Sequence, residues 1–110
     1  MSDKNNSLDK EYRSFKEFYP FYLSQHQDSM CRTLHFIGSC LILGVLAVAV
    51  LTSNPWLLLA VPVVGYGFAW IGHFKYEKNR PATFTYPVYS LMGDWLMFWE
   101  ILTGKLSMKS

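Results

Sequence analysis

The chain has 110 residues, which fits one domain and leaves no room for separate catalytic and regulatory domains. Hydrophobic residues make up 51% and charged residues only 16%, against about 25% charged in an ordinary soluble domain; with a mean hydropathy of +0.11, a disordered chain is excluded. A net charge of +2 is too small for a nucleic-acid footprint or a strong electrostatic pull toward anionic lipid.

Taken in chain order, residues 1–8 are polar and are expected to be flexible. From residue 9 to 25 the pattern becomes amphipathic, with Tyr12, Phe15, Tyr19 and Tyr22 at helical spacing on one face and Lys10, Arg13 and Glu17 elsewhere. This predicts a helix at a membrane surface, kinked or broken near Pro20. A polar break follows at Gln25-His26-Gln27-Asp28-Ser29, where Asp28 or Ser29 can cap the next helix.

Residues 33 through 74 contain no Asp, Glu, Lys or Arg. A soluble core helix carries a polar face, so an interval this long and bare calls for lipid as its solvent. Thr52-Ser53-Asn54-Pro55 interrupts it with a turn signal. Two spans are therefore predicted, at residues 33–52 and 56–74, each about 30 Å long. A cleaved signal peptide is not expected, because a polar and charged segment precedes the first apolar run and the second follows directly. Arg13, Lys16 and Arg32 lie before the pair, and Lys75, Lys78 and Arg80 after it, with no basic residue in the turn. Both ends of the hairpin are thus expected on the cytoplasmic side, of the endoplasmic reticulum in a eukaryote or the inner membrane in a bacterium.

A third apolar segment, residues 88–102, carries Asp94 and Glu100. Ser90, Gly93, Asp94, Met97, Glu100 and Gly104 form one stripe, opposite Leu91, Trp95, Trp99 and Leu102. A charge at the bilayer centre costs about 2.5 to 3.5 kcal/mol, so this helix is expected to pack against the hairpin or lie at the interface, its stripe facing inward. The expected fold is an all-α membrane protein in one domain: a transmembrane helical hairpin, an N-terminal amphipathic helix and a C-terminal packed or interfacial helix.

The chemistry-bearing residues cluster at the ends of the apolar interval. His35 and His73 are equidistant in sequence from Asn54, so two antiparallel helices leaving one turn bring both imidazoles to one depth. Helix axes 8 to 10 Å apart allow two inward-pointing imidazoles to share a metal ion. His26 can fold back to the same level. Cys31 stands four residues before His35 and Glu77 four after His73, on the same helix faces. Neutral imidazole suits Zn, Fe, Cu and Ni, and histidines with open positions suit non-haem Fe(II) and oxygen chemistry. Each histidine taken alone also reads as an interfacial hydrogen-bonding residue. Glu77 can pair with a neighbouring lysine at the surface. Lys75, Lys78 and Arg80 can be snorkelling anchors, or one of them, best Arg80, can hold a carboxylate or an anionic headgroup. Asp94 requires a partner, such as Arg80 or a histidine. Gly65, Gly67 and Gly72 permit close helix packing and do not form a phosphate loop. Cys31 and Cys40 are half a turn out of phase on one helix, which disfavours a disulfide between them.

Four stretches carry a family resemblance. Phe21-Tyr22-Leu23-Ser24-Gln25-His26, Leu34-His35-Phe36-Ile37-Gly38, Gly72-His73-Phe74 with Glu77-Lys78-Asn79-Arg80-Pro81-Ala82-Thr83-Phe84, and Ser90-Leu91-Met92-Gly93-Asp94 resemble the small membrane-protein family typified by the fungal 2-hydroxy fatty acid dioxygenase. The resemblance covers nearly the whole chain after about residue 12. It implies an Fe(II)-dependent enzyme of fatty acid α-oxidation that converts a long-chain 2-hydroxy acid and O2 to the acid one carbon shorter and CO2. The family's iron-binding histidines fall on His26, His35 and His73. Under this reading Arg80 or Lys78 steadies the carboxylate, and Glu77 or Asp94 orients a histidine from behind. The competing reading is a non-enzymatic helical membrane subunit or lipid-binding scaffold with interfacial histidines. Oligomeric state, chain length and stereochemistry stay open.

Overall fold

The computed structural model describes residues 12–108 and contains no strand among them. The flexible segment expected at residues 1–8, and the start of the first helix at residue 9, lie outside the described residues. Four α-helices follow in order: α1 (Phe15–Ser24), α2 (Ser29–Leu51), α3 (Ala60–Ile71) and α4 (Pro87–Leu102).

Helix α1 starts where Ser14 Oγ accepts the Glu17 N–H at 3.2 Å, while Glu17 Oε1 accepts the Arg13 N–H at 3.3 Å, much like a capping box. It runs through Pro20 without the expected break. Its buried face carries Phe18 and Tyr22 and packs on α4, with Phe18 against Tyr86 and Tyr89 at ring separations of 5.3 and 5.5 Å. Tyr12, Phe18, Tyr22, Ala82 and Met97 form the hydrophobic core. That core thus sits between α1 and α4, outside the apolar helix pair.

Helix α2 begins four residues earlier than the charge pattern suggests. Asp28 caps it, its side chain accepting the N–H groups of Met30 at 2.8 Å and Cys31 at 3.1 Å, satisfying two otherwise unpaired donors. Arg32 consequently lies within the helix and is buried. Its Nε donates to His26 O at 2.6 Å and its terminal nitrogen to Ser107 O at 2.8 Å. After the turn, where Asn54 Oδ1 accepts the Trp56 N–H at 3.1 Å, a 3-10 segment (Pro55–Leu59) leads into α3. A wider π-helical turn, Gly72–Glu77, extends α3.

The stretches Ser29–Leu51 and Pro55–Glu77 are each long and apolar enough to cross a membrane. Their outward surfaces are bare of protein cover: Val50, Leu51, Leu59 and Val63 are largely exposed. The two helices pack side by side. A Cβ on Gly38 would meet Phe68, one on Gly65 would meet Ile42, and one on Gly72 would meet Cys31. As numbers rise on one helix they fall on the other, so the pair is antiparallel.

On α4, Ser90, Gly93 and Met97 are buried, whereas Leu91, Trp99 and Leu102 are exposed, matching the stripe read from the sequence except at Trp95, which was expected outward and is half-buried. Gly104 departs from it: it lies beyond the helix at φ 84, where its left-handed conformation lets Leu106 N–H close the end on Glu100 O at 3.0 Å. Helix α4 packs against both α1 and α2, with the Phe36 and Phe98 rings stacked at 4.9 Å.

Candidate metal centre and adjoining cavity

Three separate parts of the chain deliver the three histidines. His26 follows the end of α1, held by its N–H to Leu23 O at 3.0 Å. His35 lies in α2 and His73 in the π-helical turn after α3. All are buried, with 1%, 7% and 2% of their surfaces exposed. The ring centroids stand 4.5 Å (His26–His35), 4.3 Å (His26–His73) and 5.0 Å (His35–His73) apart, each pair nearly perpendicular. His26 Nε2 and His35 Nε2 are 3.1 Å apart.

The hydrogen bonds behind the rings set their tautomers. His26 Nδ1 donates to Tyr22 O at 2.7 Å and His35 Nδ1 to Cys31 O at 2.9 Å; a carbonyl can only accept. His73 Nδ1 is 2.7 Å from Asn79 Oδ1, and the orientation of that amide is set because Asn79 Nδ2 donates to Gln25 O and Gln25 Oε1, each at 3.0 Å. With every Nδ1 carrying the proton, every neutral ring is left with an Nε2 lone pair. The His26 and His35 lone pairs then face each other at hydrogen-bond distance with no proton between them. Two nitrogens about 2.1 Å from one ion lie about 3.0 to 3.4 Å apart, so this donor set fits a divalent cation. Burial first, then the imidazoles of His35 and His73, push His26 well below the ordinary histidine range, which keeps its lone pair available.

Cys31, fully buried, joins the group: one ligand atom from each of His26, Cys31, His35 and His73 lies within 4.8 Å of the others. Its sulfur stands 3.8 Å from His35 Nδ1, on the edge of that ring already occupied by the Cys31 carbonyl. The three imidazoles therefore form the more convergent set.

The histidines close one end of a cavity of about 230 Å³. It extends between α2 and α3 past Ser39, Ile42, Val61 and Gly65, and α4 contributes Ser90, Leu91, Asp94 and Trp95. The wall is mostly apolar, as small-molecule sites usually are, with a few polar groups to fix orientation.

Asp94 lines this cavity, and its partner is neither Arg80 nor a histidine. Tyr22 Oη donates to Asp94 Oδ1 at 2.5 Å, and the Tyr22 ring stacks on His26 at 4.0 Å. Asp94 thus bears on His26 through Tyr22. Burial pushes the Asp94 carboxyl up to about 7, the Tyr22 hydroxyl opposing the shift. Burial, then the Asp94 charge, raises Tyr22 well above the usual tyrosine range. A parallel link joins Tyr19 Oη to Glu100 Oε1 at 2.6 Å, so both acids of the α4 stripe are tied to tyrosines of α1.

Glu77 does not touch a histidine in the bonds it makes; its Oε1 accepts the Asp28 N–H at 2.6 Å, fastening the π-helical turn to the start of α2. Lys78 ends that turn, exposed and left-handed at φ 61. Arg80 is exposed with its guanidinium 5.0 Å from the Phe84 ring centroid. Neither residue lines the cavity. Sequence reasoning missed Asn79 behind His73 and Arg32 on the His26 carbonyl. Asn79 lies in the specific Glu-Lys-Asn-Arg run, but its place behind His73 depends on the left-handed step at Lys78, which spacing does not encode.

A protein-family model described as 2-hydroxy-palmitic acid dioxygenase Mpo1-like matches residues 12–106. No curated protein and no solved structure matches the chain. The matched segment contains all four helices and all three histidines, and the chain belongs to the 2-hydroxy-palmitic acid dioxygenase Mpo1-like family.

Proposed function

We propose that the protein is a membrane-embedded dioxygenase of fatty acid α-oxidation, with Fe(II) held by His26, His35 and His73. The reaction is R–CH(OH)–COOH + O2 → R–COOH + CO2 + H2O. The bond between the carboxyl carbon and the carbinol carbon breaks, and the substrate supplies all four electrons taken up by O2, so no external reductant is required. The observation that carries this reading is the gathering of three buried imidazoles with ring centroids within 5.0 Å of one another, two of their Nε2 atoms 3.1 Å apart, at the end of an apolar cavity. Bound Fe(II) supplies the one-electron chemistry that lets O2 react with a closed-shell organic acid.

The chain's own residues perform the remaining tasks. Tyr22 O, Cys31 O and Asn79 Oδ1 hold the imidazoles in the ligand tautomer and fix the ring planes. A 2-hydroxy acid offers two oxygens on adjacent carbons, a donor pair that a three-nitrogen site leaves room for. The acyl tail lies along Ile42, Val61 and Gly65, between helices whose outer faces are apolar, and the same wall keeps bulk water from the reacting head group. The two long helices cross the bilayer with their basic flanks on the cytoplasmic side.

Anaerobic reconstitution of the purified protein with Fe(II), followed by exposure to O2 and a 2-hydroxy fatty acid, tests the proposal. Expected are about one iron per chain, CO2 and the acid one carbon shorter. His35→Ala and His73→Ala are each expected to abolish both iron binding and turnover. Full turnover by either variant refutes the site, and a wild type that binds no stoichiometric metal favours the scaffold reading.

A further inference from the structure

Ser90 is 2% exposed, and its Oγ has no hydrogen-bond partner among the described residues. A serine inside a helix usually bonds back to the carbonyl four residues earlier. Thr33, Thr52 and Thr103 do this here, donating to Ser29 O, Val48 O and Trp99 O at 2.8, 2.6 and 2.9 Å. Ser90 does not, although its own N–H bonds to Tyr86 O at 2.9 Å. Ser90 is instead among the residues that line the cavity closed by His26, His35 and His73.

The rest of that wall sharpens the chemistry. It includes no lysine or arginine, and its one carboxyl, Asp94, one turn along the same stripe, accepts from Tyr22. An acid whose carboxylate enters the cavity therefore needs a neutral donor for an oxygen. A buried hydroxyl with no intramolecular bond to break is suited to supply it, since burial without a partner is costly and pairing removes that cost.

We infer that Ser90 Oγ is the hydrogen-bond donor to the carboxylate of the long-chain acid bound in this cavity. It is a substrate-positioning residue, and this assignment rests on the proposed reading that the cavity takes such an acid. Because Ser90 Oγ has no hydrogen-bond partner among the described residues, its removal takes no described bond from the fold and costs the ligand one charge-assisted contact.

The full-length protein in detergent, loaded with redox-inert Zn(II), is titrated with 2-hydroxyhexadecanoic acid and with hexadecane-1,2-diol, which keeps the hydroxyl and tail but lacks the carboxylate. For Ser90→Ala, acid affinity is expected to fall about 10- to 100-fold, diol affinity to stay within about two-fold, and Tm to hold or rise. Ser90→Cys, nearly isosteric with a weak donor, is expected to lose acid affinity almost as far. Unchanged acid affinity, equal loss for both probes, or a lowered Tm overturns the assignment of Ser90 alone. A wild type that binds neither probe overturns the proposed function and this assignment with it.

Discussion

Gly72→Ala is the most direct test of how the helix pair sets the proposed metal centre. Gly72 has helical dihedrals, φ −58 and ψ −45, so alanine is conformationally allowed and the effect is purely steric. A Cβ there lies 3.1 Å from Cys31 Cα, 3.2 Å from its sulfur and 3.4 Å from its carbonyl oxygen. The sulfur can rotate away, but the other two atoms are backbone of α2. Carbon atoms pack best at about 3.5 to 4.0 Å, so the helices must part by roughly 0.4 to 0.9 Å. The displacement acts where it matters, because His73 follows Gly72 and the Cys31 carbonyl holds His35. Metal–ligand distances tolerate deviations of about 0.2 Å. The expected result is a loss of about 10- to 100-fold or more in metal affinity, with a fold destabilised by about 1 to 3 kcal/mol. Gly67→Ala is the control on the same helix: its Cβ meets nothing within 4 Å, so stability is expected to stay level or rise by up to about 1 kcal/mol, with metal affinity unchanged. Competition against a chromophoric chelator gives the affinity and thermal unfolding in detergent the stability. A Gly72→Ala protein that binds metal like the wild type refutes the argument that this contact sets the ligand spacing.

Two further substitutions separate orientation from folding. Asn79→Ala removes the acceptor for His73 Nδ1 and both donors to Gln25; stability is expected to fall by about 1 to 3 kcal/mol and metal affinity by about 10- to 100-fold. Asn79→Asp keeps the acceptor and loses the donors, so it should retain most of the metal affinity while losing stability, and equal affinity losses in both variants would contradict the orienting role. Asp94→Asn addresses pH. With burial pushing the folded carboxyl up to about 7 from an ordinary 3.8, the unfolded chain releases this proton first, so stability falls as pH rises from about 4 to 7 by a few kcal/mol. Asp94→Asn, whose amide oxygen still accepts from Tyr22, should remove that slope in the metal-free protein and be the more stable form at pH 8; unfolding curves that run parallel across this range would exclude the effect.

The pair of long apolar helices was legible in the sequence because their outward surfaces carry no charge, and an interval without charge records that directly. Its ends were less legible. Arg32 looked like a boundary, yet the Asp28 cap starts the helix ahead of it, and two carbonyls, His26 O and Ser107 O, satisfy the buried guanidinium. The common depth of His35 and His73 followed from their equal distance from Asn54, and the structure brings the rings to 5.0 Å. The groups behind the rings were hidden for a physical reason: two are backbone carbonyls, which every residue has, and the third depends on Lys78 adopting a left-handed turn. Lys78 and Arg80 invited a carboxylate-binding role by charge alone. That same charge keeps them at the solvent, outside the cavity wall.

The base formed by α1 and α4 does more than close the core. Two antiparallel helices can supply two imidazoles from their facing sides, but the third comes from the short link after α1 and needs α1 held in place. Tyr19–Glu100 and Tyr22–Asp94 provide that hold, and Tyr22 extends it to the metal centre by stacking on His26 and accepting its Nδ1–H through the backbone. Gly93 makes the arrangement possible, since a Cβ there would lie 2.9 Å from the Tyr22 ring. The two acids that look costly in an apolar helix are thereby explained: each binds a tyrosine of α1, and one of those tyrosines fixes the third imidazole. An ion bound at the three nitrogens would in turn stabilise the α1–α4 packing, because a ligand bound only by the assembled state favours that state.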